Sequence, residues 1–156
     1  MPLTQVEVEK LFGKFKYTDI GGGRIKIDPL WVKKNIVKIK LPILGVVEFH
    51  KKLKNQLLNI FKEINNKKLE KEIDTDDYRR FGGTFVPRHI LWDSKKPLSR
   101  HSWGIAIDIN VSQNPYGKAP KQHPEIVKIF TENGFEWGGS WKIPDGMHFE
   151  VARCEL

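Results

Sequence analysis

Two short segments of this 156-residue chain alternate so that titratable groups would fall on one side of a strand. In Ile105-Ala106-Ile107-Asp108-Ile109-Asn110 the isoleucines take one face, and Ala106, Asp108 and Asn110 take the other. In Met147-His148-Phe149-Glu150-Val151 the apolar residues again share a face, leaving His148 and Glu150 opposite. If both strands belong to one sheet, Asp108 and His148 share a face. The loop Ser99-Arg100-His101-Ser102-Trp103-Gly104 lies just upstream and can fold His101 back above Asp108. One carboxylate and two imidazoles from three places form a ligand set that zinc accepts, with a fourth position left for water. The single cysteine, Cys154, excludes a disulfide framework and a zinc site of several thiolates. Imidazole and carboxylate must therefore hold any metal.

The elements around these strands read as follows. Thr4-Gln5-Val6-Glu7 is a capping box, with Leu3 and Val8 at the hydrophobic-staple positions and Gly13 as a stop, which predicts a short first helix. Gly21-Gly22-Gly23 predicts a turn; Ile25 and Ile27 then alternate as in an edge strand, and Val37, Ile39 and Leu41 repeat the alternation. From about Val46 the spacing of Phe49, Leu53, Leu57, Ile60 and Ile64 predicts the longest helix, ending near Asn65-Asn66, with His50 on its surface. Asp74 to Pro97 is loop-like. A later helix opens at Pro124 and stops at Gly134, with His123 capping it or facing water. These elements predict a single α+β domain, with an N-terminal helical and strand part of about 1–75 and a motif-bearing part of about 76–152.

The motif Ser99-x-His101-x-x-Gly104-x-Ala106-x-Asp108, followed by Asp145-x-x-His148-Phe149, resembles the signature of the zinc D-Ala-D-Ala peptidases. That family includes the VanX- and VanY-type carboxypeptidases and the L-alanyl-D-glutamate endopeptidases of bacteriophage lysins. The likeness runs from about Tyr78 to Val151, and Gly134-Phe-Glu-Trp-Gly-Gly139 with Trp141 fits the VanY-like branch. It implies a small antiparallel sheet with helices packed on one side and a Zn2+ site on the open face. It also implies His101, Asp108 and His148 as zinc ligands and Asp145 as general base. Pro144-Asp145-Gly146 is at the same time a strong turn signal. Arg88 aligns with the arginine that relatives place upstream to face the oxyanion, with Arg79, Arg80 and Arg100 as competitors. Ser99 and Glu150 are candidates to contact substrate or orient a ligand imidazole, and Trp137 and Trp141 line a cleft or fill the core.

Lys and Arg number 27 against 19 Asp and Glu, a net charge of +8 that favours an anionic partner. Most of that charge belongs on solvated helix faces. No helix-turn-helix, RNA-binding or finger motif accompanies it, so no specific nucleic-acid binding is expected. The longest apolar run, Leu41 to Phe49, is too short to cross a bilayer, and the start shows no secretory signal. The expectation is a soluble chain made in the cytoplasm that acts on peptidoglycan or its stem peptides at the bacterial wall, as a phage or prophage lysis enzyme or a virion component. The alternative is a zinc-containing binding module of the same fold, as in the signalling domain of hedgehog proteins. Nothing in the sequence fixes an oligomeric state.

Overall fold

The computed structural model describes residues 2–76 and 83–155. Arg79 and Arg80, two competitors of Arg88, lie outside the described residues. Helix α1 (Gln5–Phe12) starts at the expected capping box: the Thr4 hydroxyl accepts from the Glu7 amide at 3.2 Å, and the Glu7 carboxylate accepts from the Thr4 amide at 3.0 Å. Val8 and Phe12 are its buried positions. The chain then forms a hairpin of β1 (Tyr17–Gly21) and β2 (Arg24–Ile27) around the glycine turn, with Ile25 and Ile27 buried.

A second helix, α2 (Pro29–Asn35), is an element that the alternation did not reveal. Its signal is local: the Asp28 carboxylate accepts from the Leu30 amide at 3.0 Å, and Pro29 occupies the first turn, where its missing N–H costs nothing.

The helix expected from Val46 is corrected. Strand β3 (Ile36–Leu41) pairs antiparallel with β4 (Gly45–His50), in register from Ile36 opposite His50 to Leu41 opposite Gly45. Val47 and Phe49 point inward while Val46 and Glu48 face solvent, which is the period of a strand. The helix α3 begins only at Lys54 and runs to Asn66, burying Leu57, Ile60, Phe61 and Ile64. A single tight turn over Lys51–Leu53 brings Leu53 to the side that Phe49 occupies, so the four-residue spacing imitates a helix.

His50 is accordingly no surface residue. It is fully buried at the end of β4; its Nδ1 accepts from the Lys52 amide at 3.2 Å, and its Nε2–H donates to the Phe12 carbonyl at 3.0 Å. Those partners require the neutral ring.

The site-bearing layer is a three-stranded antiparallel sheet of β5 (Ala106–Asp108), β6 (Phe135–Trp137) and β7 (His148–Val151), in the order β5-β7-β6. Helix α4 (Pro124–Glu132) precedes β6, capped by the His123 ring, which accepts from the Glu125 amide at 3.1 Å. Phe130 of α4 stacks on Phe149 of β7 at 4.0 Å between centroids and meets Phe135 edge-on at 5.7 Å. Phe61 of α3 packs edge-on against Phe130 at 6.0 Å. Helices therefore cover one face of this sheet, as expected. The same hydrophobic core runs from Val8 through Phe49 and Leu57 to Val151, joining the N-terminal and motif-bearing parts.

Burial holds the His50 pKa down, to about 4 from its ordinary 6.5. The unfolded chain takes up a proton at His50 near pH 6.5, whereas the folded chain does so only near pH 4. This contribution to stability is complete above pH 6.5 and is lost as pH falls toward 4, by about 3 kcal/mol at most. Urea unfolding at pH 7 and pH 4.5 should show His50→Asn clearly destabilised at the higher pH and the gap narrowed at the lower. A gap independent of pH would mean that the ring titrates alike in both states.

Candidate metal centre and its cleft

Register decides which side chains meet. Asp108 of β5 lies directly opposite His148 of β7, and Ala106 opposite Glu150, so both carboxylates and the imidazole share the face turned away from Phe149. The loop upstream delivers the third group. Ser99 caps a short turn over Arg100–Trp103, its hydroxyl accepting from the His101 amide at 3.2 Å. Gly104 ends that turn at φ +66°, and a Cβ there would stand 2.9 Å from Ile36 Cδ1 and 3.1 Å from the His50 amide nitrogen. The loop thus folds back and sets His101, fully buried, beside Asp108.

The resulting cluster is tight. One ligand atom from each of His101, Asp108 and His148 lies within 4.8 Å of the others. His101 Nε2 is 3.2 Å and His148 Nδ1 3.0 Å from Asp108 Oδ1. The Thr84 carbonyl, 3.1 Å from His101 Nδ1, can only accept, so Nδ1 carries the hydrogen and Nε2 presents a lone pair. That Nε2 is buried without a hydrogen-bond partner although the carboxylate oxygen is near. An imidazole lone pair turned toward a carboxylate oxygen calls for a cation between them. On the far side of the His148 ring, Nε2–H donates to Glu150 Oε1 at 2.8 Å, which leaves Nδ1 as the nitrogen that could ligate a metal.

Electrostatics point the same way. Burial would raise the Asp108 carboxyl, but the two neighbouring imidazoles outweigh it and hold it well below the ordinary carboxylate range. Burial likewise opposes a charge on His148, yet without a metal the bonds to Asp108 and Glu150 push its pKa up to about 10, and a cation bound at Nδ1 would take the place of that proton. Asp108 and Glu150 are 3% and 5% exposed, and Arg100 Nε lies 3.9 Å from Glu150 Oε2. This pocket demands positive charge. Two imidazoles and a carboxylate suit zinc, and the residues present fit such an ion.

Asp108 and His148 line a cleft of about 750 Å³, with His101 fully buried beside Asp108. Asp145, half-buried, lines it. Its backbone does form the turn that the sequence suggests, the His148 amide donating to the Asp145 carbonyl at 3.1 Å, and the same residue lines the cleft. Burial raises the Asp145 carboxyl above its ordinary value, and the charge of Asp108 adds to this. Gly138 permits the approach: a Cβ there would be 2.6 Å from the Asp145 carbonyl oxygen.

Arg88 also lines the cleft, and burial lowers its pKa, though a guanidinium stays charged at neutral pH. Its Nε is buried without a partner. Arg100 lines the cleft as well, with Nη2 donating to the Leu3 carbonyl at 2.9 Å. Ser99 and Trp141 line the cleft, and the Trp141 ring lies 5.5 Å from His148. Trp137 takes the core alternative, stacked on Phe149 at 6.4 Å with its Nε1–H on the Gly146 carbonyl.

Sequence reading missed Thr84, whose backbone carbonyl sets the His101 tautomer; no side-chain signal marks such a role. It also missed the wall formed by Ile90, Leu91 and Trp92. Leu91 and Trp92 sit at φ +53° and +58°, where bulky L-residues cost about 1–2 kcal/mol each, a strain of the kind found at functional sites.

A buried two-histidine, one-carboxylate cluster under a cleft with a poised carboxylate and an arginine suits metal-assisted hydrolysis. Residues 92–151 match the family model described as D-alanyl-D-alanine carboxypeptidase. The matched stretch contains His101, Asp108, Asp145 and His148, and it supports the resemblance to the zinc D-Ala-D-Ala peptidases. No curated protein and no solved structure matches the chain.

Metal content by mass spectrometry tests the ligand set. His101→Ala and His148→Ala should each abolish stoichiometric zinc binding, and retained zinc in either would remove that residue from the set. Glu150→Gln should bind zinc roughly 10- to 100-fold more weakly in chelator competition, since it loses the carboxylate behind His148.

Proposed function

We propose that this protein is a zinc-dependent peptidase that hydrolyses stem peptides of bacterial peptidoglycan, of the D-Ala-D-Ala carboxypeptidase or L-Ala-D-Glu endopeptidase type. The observation that carries it is the convergence of His101, Asp108 and His148, two of which line the cleft together with Asp145 and Arg88. The family match supports a peptidase of this kind.

His101, Asp108 and His148 would hold the ion. A bound zinc supplies Lewis acidity, which makes water a nucleophile near neutral pH. The chain's own groups do the rest. Asp145, half-buried and with a raised pKa, accepts the proton of the attacking water and returns it to the leaving amine. Arg88 presents a desolvated guanidinium to the charge that develops on the scissile carbonyl oxygen. Trp141 and the strained Leu91–Trp92 wall bound the cleft and keep the peptide beside those groups.

The substrate assignment rests on the family resemblance and on the basic surface, which suits an anionic wall. No helix among the described residues is long and apolar enough to cross a membrane. We place the site of action at the bacterial wall, reached after lysis or as part of a virion.

Mass spectrometry of products from purified peptidoglycan, with and without chelator, tests the assignment. Fragments that vanish with chelator and return with zinc are expected. Released D-alanine would identify the carboxypeptidase type, and a new N-terminal D-glutamate the endopeptidase type. Bound zinc without products from several wall chemistries would leave a binding module of the same fold.

Asp145→Asn should keep zinc but lose about 10²- to 10⁴-fold in turnover. Near-normal turnover would remove it as the base. Arg88→Ala should lower the chemical step about 10²- to 10³-fold, and an unchanged rate would shift that role to Arg100 or to Arg79 and Arg80.

A further inference from the structure

Gln122 lies in the connection between β5 and α4, and its side chain is buried with both polar atoms in use. The Nε2 group donates to the Ile109 carbonyl at 2.9 Å and to the Gly146 carbonyl at 3.2 Å. Both partners only accept, which fixes the orientation of the carboxamide. Its Oε1 then accepts from Asn110 Nδ2 at 3.0 Å. Asn110 is itself buried and anchored on a third segment: Nδ2 also donates to the Glu72 carbonyl at 2.8 Å, and Oδ1 accepts from the Asp74 amide at 2.7 Å.

The two carbonyls that Gln122 joins belong to different parts of the site. Ile109 directly follows Asp108, and Gly146 directly follows Asp145. One planar group thus ties the strand that bears a candidate metal ligand to the turn that bears the candidate base. Backbone bonds hold the neighbours in that turn: Asp145 N–H donates to the Gly138 carbonyl at 2.8 Å, Gly117 N–H to the Pro144 carbonyl at 2.7 Å, and Ile109 N–H to the Met147 carbonyl at 2.9 Å. The Gly146 carbonyl is held by side chains, from Gln122 and from Trp137 Nε1–H at 2.8 Å. A Cβ on Gly146 would stand 2.8 Å from Asn114 Oδ1, so the turn lies flush against the loop that leads to Gln122.

We propose that Gln122 is a positioning residue for the reaction: its carboxamide sets the Asp145 turn against the Asp108 strand, and so fixes where the Asp145 carboxylate stands in the cleft relative to Asp108 and His148. This deepens the peptidase reading and rests on it. No close substitute can do the same. A glutamate would turn carboxylate oxygens toward two carbonyls, and a methionine would fill the space without donating.

The test uses zinc-loaded protein and a stem peptide that the wild type cleaves. Gln122→Met should lose about 10- to 100-fold in kcat while KM stays within about threefold, with zinc affinity in chelator competition unchanged. Gln56→Met is the control, because Gln56 has the same bonding outside the residues that line the cleft. Its Nε2 donates to the Asn133 and Arg153 carbonyls at 2.8 and 2.9 Å, and its Oε1 accepts from the Glu155 amide at 2.9 Å. Gln56→Met should lower stability as Gln122→Met does and leave kcat and KM unchanged. A kcat that is unchanged in Gln122→Met, lost together with zinc, or lowered equally in Gln56→Met overturns the positioning role while the peptidase reading stands. If the wild type cleaves no stem peptide, the peptidase reading fails, and amide hydrogen exchange decides the positioning alone. Exchange at the Asp145 and Ile109 amides that is faster by about tenfold or more in Gln122→Met, and not in Gln56→Met, would uphold it; unchanged exchange would overturn it. Should Gln122→Met fail to fold, Trp137→Phe, which removes the other donor on the Gly146 carbonyl, serves the same comparison.

Discussion

Buried negative charge on one face of a three-stranded sheet is the constraint around which the site is arranged. Asp108 and Glu150 are both shielded from water, and isolated carboxylates in such a place would be strongly penalised. The fold meets this by setting the His148 ring between them, at 3.0 Å from one and 2.8 Å from the other, and by placing the lone pair of His101 against the first. The balance is still short of positive charge at the point where the three ligand atoms meet, and a divalent ion held there would supply it. A metal site of this kind differs from an acidic cluster on a surface, where solvent would screen the same charges.

The sheet can hold that arrangement because its opposite face fixes the register. Phe149 is stacked between Phe130 and Trp137, and Phe135 lies against Phe49. A slip of one residue in β7 would turn Phe149 into the cleft and His148 into the aromatic core. Packing on the helix side therefore enforces the pairing of Asp108 with His148 on the other side. Gly138 and the turn at Asp145 then need only bring one more carboxylate to the rim of a surface already set.

The meeting of Asp108, His148 and Glu150 on one face was legible in the sequence because it is written in strand alternation. The parity of Asp108, His148 and Glu150 follows from residue spacing of two, and tertiary structure had only to join the strands. The capping box at Thr4 and the helix opening at Pro124 were legible for the same reason, since each depends on neighbours within four residues. The β4 strand was misread because Phe49, Leu53 and Leu57 obey both a helical template and a strand-turn-helix path. Only the pairing with β3, which joins segments on either side of a turn, separates the two. His50 followed that error, since its burial depends on Phe12, distant in sequence. The Thr84 carbonyl and the meeting of Gln122 with the turn at Asp145 leave no sequence trace, because they arise from contacts across the fold.

Those long-range contacts also explain what the N-terminal part does for a site whose ligands all lie in residues 92–151. The Leu3 carbonyl, just before α1, holds Arg100 Nη2, and the Arg100 Nε is thereby directed toward Glu150. Arg100 offsets part of the charge on Glu150, and Glu150 in turn polarises His148 through its Nε2–H. A fully uncompensated Glu150 would draw that proton more strongly and make His148 a more basic ligand, while a rotated Arg100 would leave the carboxylate free to turn away. On the other flank Gly23 of the β1–β2 hairpin packs against the Trp92 backbone of the cleft wall, where a Cβ would fall 2.2 Å from the carbonyl. The ligands and the turn at Asp145 form a unit that strand pairing can assemble, and the flanking elements set its electrostatics and the shape of its mouth. Changes in α1 or in the hairpin therefore reach the candidate metal centre or the cleft wall through one or two contacts, without altering any of the candidate ligands.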